Sequence, residues 1–121
     1  MESKEDTSMP FINVKTTAAL DVAKKEVFTT ELKRITKETL GKGENWVMTG
    51  YEENASLCFQ GSTEDIVYVE VKAYGAPAAA GADKMTAGVC ALVEKELGIP
   101  ASRVYVSYWG TNMWGWNGGN F

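Results

Sequence analysis

An α/β (α+β) fold, made from two pseudo-repeated βαβ units, is expected for this 121-residue chain. Three observations predict it. Displaced by 57 positions, the sequence overlays itself without a gap. Phe11-Ile-Asn-Val-Lys15 falls on Tyr68-Val-Glu-Val-Lys72, Leu40-Gly41 on Leu97-Gly98, Val47 on Val104, and Tyr51 on Tyr108. Two segments share helical apolar spacing at matching places, Phe28, Leu32 and Ile35 against Met85, Val89 and Leu92. β-type runs flank each of them. A βαβ unit makes parallel strands joined by a right-handed crossover. Two such units side by side give a four-stranded mixed sheet with two helices on one face, the kind of internal repeat worth seeking first. The other face also carries apolar residues. A monomer would leave it wet, so self-association is expected.

Taken in order, residues 1–9 are polar, charged and without periodicity, and are expected to be a disordered or non-native extension. Residues 10–121 form the single expected domain. Pro10–Thr16 reads as a strand, with proline at its first position because it has no N–H to give to a ladder. Asp21, or Thr17 before it, can cap a helix over Val22–Leu40, and Gly41 suits the position just past its end. Trp46–Tyr51 reads as a strand, Glu52–Asn54 as a turn, Ser56–Phe59 as a short strand, and Gln60–Thr63 as a turn. Ile66–Ala73 is the strongest strand in the chain. Gly75–Asp83, rich in Ala, Gly and Pro, reads as a loop entering a helix over Lys84–Leu97, stopped by Gly98. Arg103–Trp109 is a further strand. Gly110–Phe121 is rich in Gly, Asn and aromatics.

Composition narrows the chemistry. The net charge is −4, of which Glu2, Glu5 and Asp6 against Lys4 account for −2. The nearly balanced remainder has no basic stripe, which argues against nucleic acid. No apolar run approaches the roughly 18 residues a membrane helix needs, and the opening lacks the apolar core of a secretory signal. There are two cysteines and no histidine. Such a chain cannot assemble a zinc cluster, a Ser-His-Asp triad or a Cys-His pair. Acid–base work falls to carboxylates, lysine, tyrosine or an amino terminus. Without a signal, a reducing compartment is expected, with Cys58 and Cys90 as core residues.

Five motifs, in order, resemble the macrophage migration inhibitory factor family of phenylpyruvate/dopachrome tautomerases. They are Met-Pro-Phe-Ile-Asn-Val-Lys at 9–15, Leu-Gly-Lys at 40–42, Phe-Gln-Gly-Ser at 59–62, Arg-Val-Tyr-Val-Ser-Tyr at 103–108, and Trp-Gly-Trp-Asn-Gly at 114–118. Each is weak alone, and the set is specific. The resemblance spans about Met9 to Phe121. It implies the tautomerase fold, a homotrimer with active sites between subunits, and no cofactor or metal. It implies an isomerase that interconverts keto and enol forms of phenylpyruvate-like 2-keto acids, its base being a proline nitrogen exposed by removal of the preceding methionine. Here that proline is Pro10, and nine residues precede it in the sequence. As an amide the nitrogen has no basicity, so the activity is conditional on Pro10 being the free amino terminus.

The resemblance assigns Lys42 to the substrate carboxylate and Tyr105 to a pocket wall lent by a neighbouring subunit. Tyr74 stands where the family commonly has Ile, Ser107 where some members have Asn, and Trp114 and Trp116 lie in the segment that closes the pocket. Some animal members carry a Cys-x-x-Cys pair where this chain has Ile66 and Val69, so thiol–disulfide chemistry is not expected. The alternative implied by the same resemblance is a cytokine-like trimer that binds a cell-surface receptor. Its location would be cytoplasmic, with export lacking a signal peptide. Neither reading calls for membrane insertion.

Overall fold

A computed structural model describes residues 10–120. The expected extension at 1–9 and the terminal Phe121 lie outside the described residues. Strand β1 (Phe11–Thr16), helix α1 (Val22–Leu40) and strand β2 (Met48–Glu52) form the first unit. Strand β3 (Val67–Tyr74), helix α2 (Ala79–Leu97) and strand β4 (Val104–Thr111) form the second, and a small hairpin of β5 (Gly115–Trp116) and β6 (Gly119–Asn120) follows. The sheet order is β2-β1-β3-β4. β1 runs parallel to β2 and β3 parallel to β4, while the central pair β1–β3 is antiparallel. That antiparallel seam makes the two units face each other like halves of a pseudo-dimer.

Alternation decides the layers. Ile12, Val14, Val67, Val69 and Val71 point to the helices and are essentially inaccessible. They meet Phe28, Leu32 and Ile35 of α1 and Met85, Val89 and Val93 of α2 in one cluster. Both helices end at a left-handed glycine, Gly41 (φ 71°) and Gly98 (φ 69°), a conformation that costs a side-chain-bearing residue more.

The repeat holds in finer detail than the apolar pattern. Tyr51 of β2 sets its hydroxyl 2.7 Å from Thr29 Oγ1 and 3.3 Å from the Lys25 carbonyl of α1. Its twin Tyr108 of β4 lies 2.7 Å from Thr86 Oγ1 and donates to the Ala82 carbonyl of α2 at 2.9 Å. Each tyrosine thus pins its unit's second strand to its helix. Burial pushes both phenols above their ordinary value. Raised folded values mean that the stability these groups confer is whole below about pH 10 and is lost as pH climbs through the folded values. Tyr51→Phe and Tyr108→Phe should each cost about 1 kcal/mol. The two should add, because the sites share no partner. Urea unfolding at fixed protein concentration checks both effects, and the double variant should lose stability less steeply at alkaline pH.

The repeat also reaches past Tyr51. Gln60 (φ 54°) and Gly61 (φ 71°) close a two-residue turn, and so do Asn117 (φ 53°) and Gly118 (φ 86°). Phe59 pairs with Ser62 as Trp116 pairs with Gly119. The structure differs from expectation in several places. Ser56–Phe59 is not a strand. Asn54 and Ala55 instead donate to the Ala18 and Thr16 carbonyls, which leads the segment away from the sheet ladder. Trp46 and Arg103 belong to 3-10 turns ahead of β2 and β4. α2 begins at Ala79, five residues before Lys84. Its first turn has no apolar rhythm, and Gly81 is there for space, since a Cβ would collide with the Thr39 carbonyl. Cys58 is exposed, not core, because it lies on that departing segment; Cys90 is half-buried against the core, and burial raises its thiol.

The face of the sheet away from the helices is mixed, not simply apolar. Lys15 and Asn13 both reach Glu52 there, at 3.7 and 2.6 Å, while Met48 on β2 and Tyr105 and Trp109 on the far edge strand β4 lie about half exposed.

Candidate active site

Pro10 is buried at the entrance to β1. Its carbonyl accepts from Met48 N at 2.9 Å, which fixes it to β2. On the other side, one step beyond the Phe11–Lys72 pair puts Pro10 level with Ala73 of β3. Ala73 is one wall of a cavity of about 250 Å³, lined also by Thr39, Leu40, Lys42 and residues 74–78. The αL turn at Gly41 sends the chain back from the end of α1, and Lys42 Nζ donates to the Tyr74 carbonyl at 3.1 Å.

Lys42 is the one charged side chain in this lining. The second positive contribution comes from the backbone. α2 starts at the cavity's rim, and Ala78, at its N-cap, makes no side-chain cap bond. The first N–H groups of a helix lack intrahelical partners and carry the positive end of its dipole. The repeat supplies an internal control. The twin of Ala78 is Asp21, whose carboxylate accepts from Lys24 N at 2.8 Å and so caps α1. The twin of Lys42 is Ile99, and the twin of Pro77 is Leu20, both buried. Where the end of α2 meets the start of α1, leucine, isoleucine and a capping carboxylate fill this place. Where the end of α1 meets the start of α2, the same place is open and lined by a cation. An anion of carboxylate size is what the open version suits.

Aromatic walls stand at the same end of the sheet. Trp46, two residues before Met48, meets Trp116 of the C-terminal hairpin edge to face, with ring centroids 5.5 Å apart and planes at 83°. Trp114 is half-buried just before β5. Trp46 was not singled out from sequence, because it reads as the first residue of a strand. The signal available was an aromatic four positions after Lys42.

Tyr105 and Ser107 are elsewhere. Tyr105 pairs with Tyr68, five residues along β4 from Gly110, the partner of Ala73. At 3.3–3.4 Å per residue that is roughly 17 Å from the level of Pro10. Within one chain, then, Pro10, Lys42, Tyr74 and Trp116 share one end of the sheet, and Tyr105 and Ser107 lie toward the other. Tyr105 is half exposed. The Ser107 hydroxyl lies 2.8 Å from Tyr68 OH and accepts from Trp109 Nε1 at 3.2 Å. Among the described residues no group of three or more Cys, Asp or Glu could hold a metal ion, and no helix is long and apolar enough to cross a membrane.

Comparison with known proteins agrees on one kinship. The family model described as macrophage migration inhibitory factor matches residues 9–121. The macrophage migration inhibitory factor of Xenopus laevis is 26% identical over 115 residues, covering 93% of this chain and 99% of that protein. The crystal structure of Leishmania major MIF2 is 40% identical with a TM-score of 0.89, covering 94% of this chain and 99% of that one. The macrophage migration inhibitory factor homologue of Prochlorococcus marinus is 36% identical with a TM-score of 0.80, covering 92% and 98%. With the paired βαβ units, the order of the motifs and a match that begins one residue before Pro10, the chain belongs to the macrophage migration inhibitory factor family.

Proposed function

We propose that this protein is a cofactor-independent keto–enol tautomerase for phenylpyruvate-like 2-keto acids. The observation that carries this reading is the open cavity walled by Ala73, the residue level with Pro10 in the sheet, with Lys42 and the uncapped start of α2 on its rim. The substrate carboxylate lies against Lys42 and the first N–H groups of α2. The prolyl nitrogen takes a proton from the carbon next to the carbonyl. Charge moves to the carbonyl oxygen, and the same nitrogen returns the proton at oxygen or carbon. An α-amino group titrates near pH 8 in the open. Burial and the nearby ammonium of Lys42 both disfavour its charged form, which brings the base toward neutral pH. Trp46 and Trp116 offer flat apolar surface to an aromatic substrate.

The base exists only when Pro10 is the amino terminus, so residues 1–9 must be absent from the active form. Tyr105, roughly 17 Å along the sheet from Pro10, reaches such a site from a second copy. The half-exposed Tyr105 and Trp109 give the open sheet face something to bury in a homotrimer. The receptor-binding alternative rests on the name of the relatives, and no feature of the described residues favours it over catalysis.

Proton exchange tests the reading. A chain beginning at Pro10 should catalyse loss of the C3 hydrogens of phenylpyruvate into D2O without added cofactor, and should sediment as a trimer. Exchange no faster than in buffer, or a stable monomer, would count against it. The Asp21–Ala78 contrast offers a second check. Ala78 has the extended backbone (φ −68°, ψ 139°) that a capping residue needs. Ala78→Asp should stabilise the protein by roughly 0.5–2 kcal/mol. The same carboxylate should raise KM for 2-keto acids, because it occupies the N–H groups offered to the substrate. Thermal melting and initial rates on one preparation read both effects.

A further inference from the structure

We propose that Arg103 and Phe59 are positioning residues that hold Tyr105 in the orientation it presents to a neighbouring subunit. The inference rests on the reading of Tyr105 as a wall of an intersubunit site and assigns the means by which that wall is held.

Tyr105 by itself is poorly fixed. It is 51% exposed on the open sheet face, where a side chain has rotamers to choose from. What meets it is Phe59, edge to face, with centroids 5.3 Å apart and planes at 79°. Phe59 does not belong to the sheet. It sits at the base of the Gln60-Gly61 turn, bonded both ways to Ser62 at 2.9 and 3.0 Å. Thr17 holds the far end of that small loop at Asp65 and Ile66, and Arg103 ties the rest of it down. Arg103 is 9% exposed, and its guanidinium donates to the Asp65 carbonyl at 3.0 Å and the Glu64 carbonyl at 2.9 Å, with a longer contact to the Phe59 carbonyl at 3.5 Å. The guanidinium carbon also lies 5.5 Å over the Phe59 ring. One buried cation therefore fixes the backbone that carries Phe59 and one face of its ring, and Phe59 in turn fixes Tyr105.

The repeat shows this as a device used twice. The twin of Phe59 is Trp116, and the twin of Arg103 is Trp46. Trp116 packs on Trp46 as Phe59 packs on Arg103. Each hairpin reaches across to grip the 3-10 turn of the other unit. One grip stands at the Pro10 end of the sheet. The other stands beside Tyr105. At the second grip the aromatic of the 3-10 turn is replaced by a group that can satisfy three carbonyls and still stack. Loop and tyrosine thereby become one rigid body.

The test is a kinetic series on the chain that begins at Pro10. Phe59→Leu should raise KM for phenylpyruvate roughly two- to tenfold, the range one lost aromatic pair gives, with kcat little changed. Phe59→Tyr, which keeps the ring, should restore the wild-type KM. Phe59→Leu added to Tyr105→Ala should do nothing beyond Tyr105→Ala alone, since a positioning residue acts only through what it positions. Arg103→Gln should follow Phe59→Leu in KM, and the sedimentation of every variant should remain that of the parent. A Phe59→Leu effect that persists at full size without the Tyr105 ring, an unchanged KM, or a Tyr105→Ala variant with the parent's KM would each overturn the proposal. A parent chain with no proton exchange at all would instead remove the catalytic reading beneath it.

Discussion

Pro10→Gly, in a chain that begins at residue 10, is expected to lower kcat for phenylpyruvate by about a hundredfold, within the range a positioned general base contributes. Glycine keeps the carbonyl that accepts from Met48, so the join to β2 survives. It also keeps an amine. What goes is the ring that fixes φ, together with the secondary amine's basicity. The cavity and Lys42 are untouched, so KM should change far less than kcat. That split marks a residue acting in the transition state and not in binding. Steady-state rates at saturating and limiting substrate separate the two. A variant that turns over like its parent would show that another group is the base.

Lys42→Met should do the opposite, raising KM roughly ten- to a hundredfold, the worth of a hydrogen bond to a charged group. Methionine keeps the apolar stem but not the ammonium, and the Tyr74 carbonyl loses its donor. That structural loss should cost about 1 kcal/mol at most, since the carbonyl is only part-buried and water can replace the lysine. Ionic strength distinguishes a charge effect from a packing effect. The parent's KM should rise with salt as the attraction is screened, and the variant's should not. Lys42→Arg should recover part of the affinity, less than all of it because a planar guanidinium cannot reproduce a compact ammonium beside one carbonyl. An unchanged KM in Lys42→Met would leave the carboxylate to the N-terminus of α2 alone.

Much of the fold is legible in the sequence. α1 could be read to its last residue because apolar spacing, an N-cap aspartate and a C′ glycine agree there. β1, β3 and β4 could be read within a residue or two for the same reason, two signals pointing one way. The sequence shows α2 only from Lys84 because its first turn, Ala79-Ala80-Gly81-Ala82, has no polar face to contrast with an apolar one, and because Gly81 looks like a breaker when it answers a close approach to Thr39. The hairpin at 115–120 has two-residue strands, too short for alternation to show, although Phe59-Gln-Gly-Ser62 over Trp116-Asn-Gly-Gly119 extends the repeat in plain sight. Cys58 looked like core because its residue type usually is.

The candidate site divides differently. Pro10, Lys42 and Tyr74 are named by the family resemblance, yet the proposed fit of their surroundings to an anion rests on an absence, the missing cap at Ala78. That becomes visible only against Asp21 in the other unit. Trp46 was hidden inside an apparent strand. Tyr105 and Ser107 could be named but not located, because no pattern along one chain reveals that they stand at the far end of the sheet. Arg103 looked like the polar start of a strand, and its three carbonyl partners at 59–65 are some forty residues distant in sequence.

The central claim is that the nitrogen of Pro10 is the base. Turnover of phenylpyruvate should be compared for two forms of the same protein, one beginning at Pro10 and one retaining residues 1–9, both verified by intact mass and both trimeric. The form beginning at Pro10 should enolise phenylpyruvate, and the longer form should match buffer alone, because its Pro10 nitrogen is an amide. Equal turnover by the two forms would contradict the account.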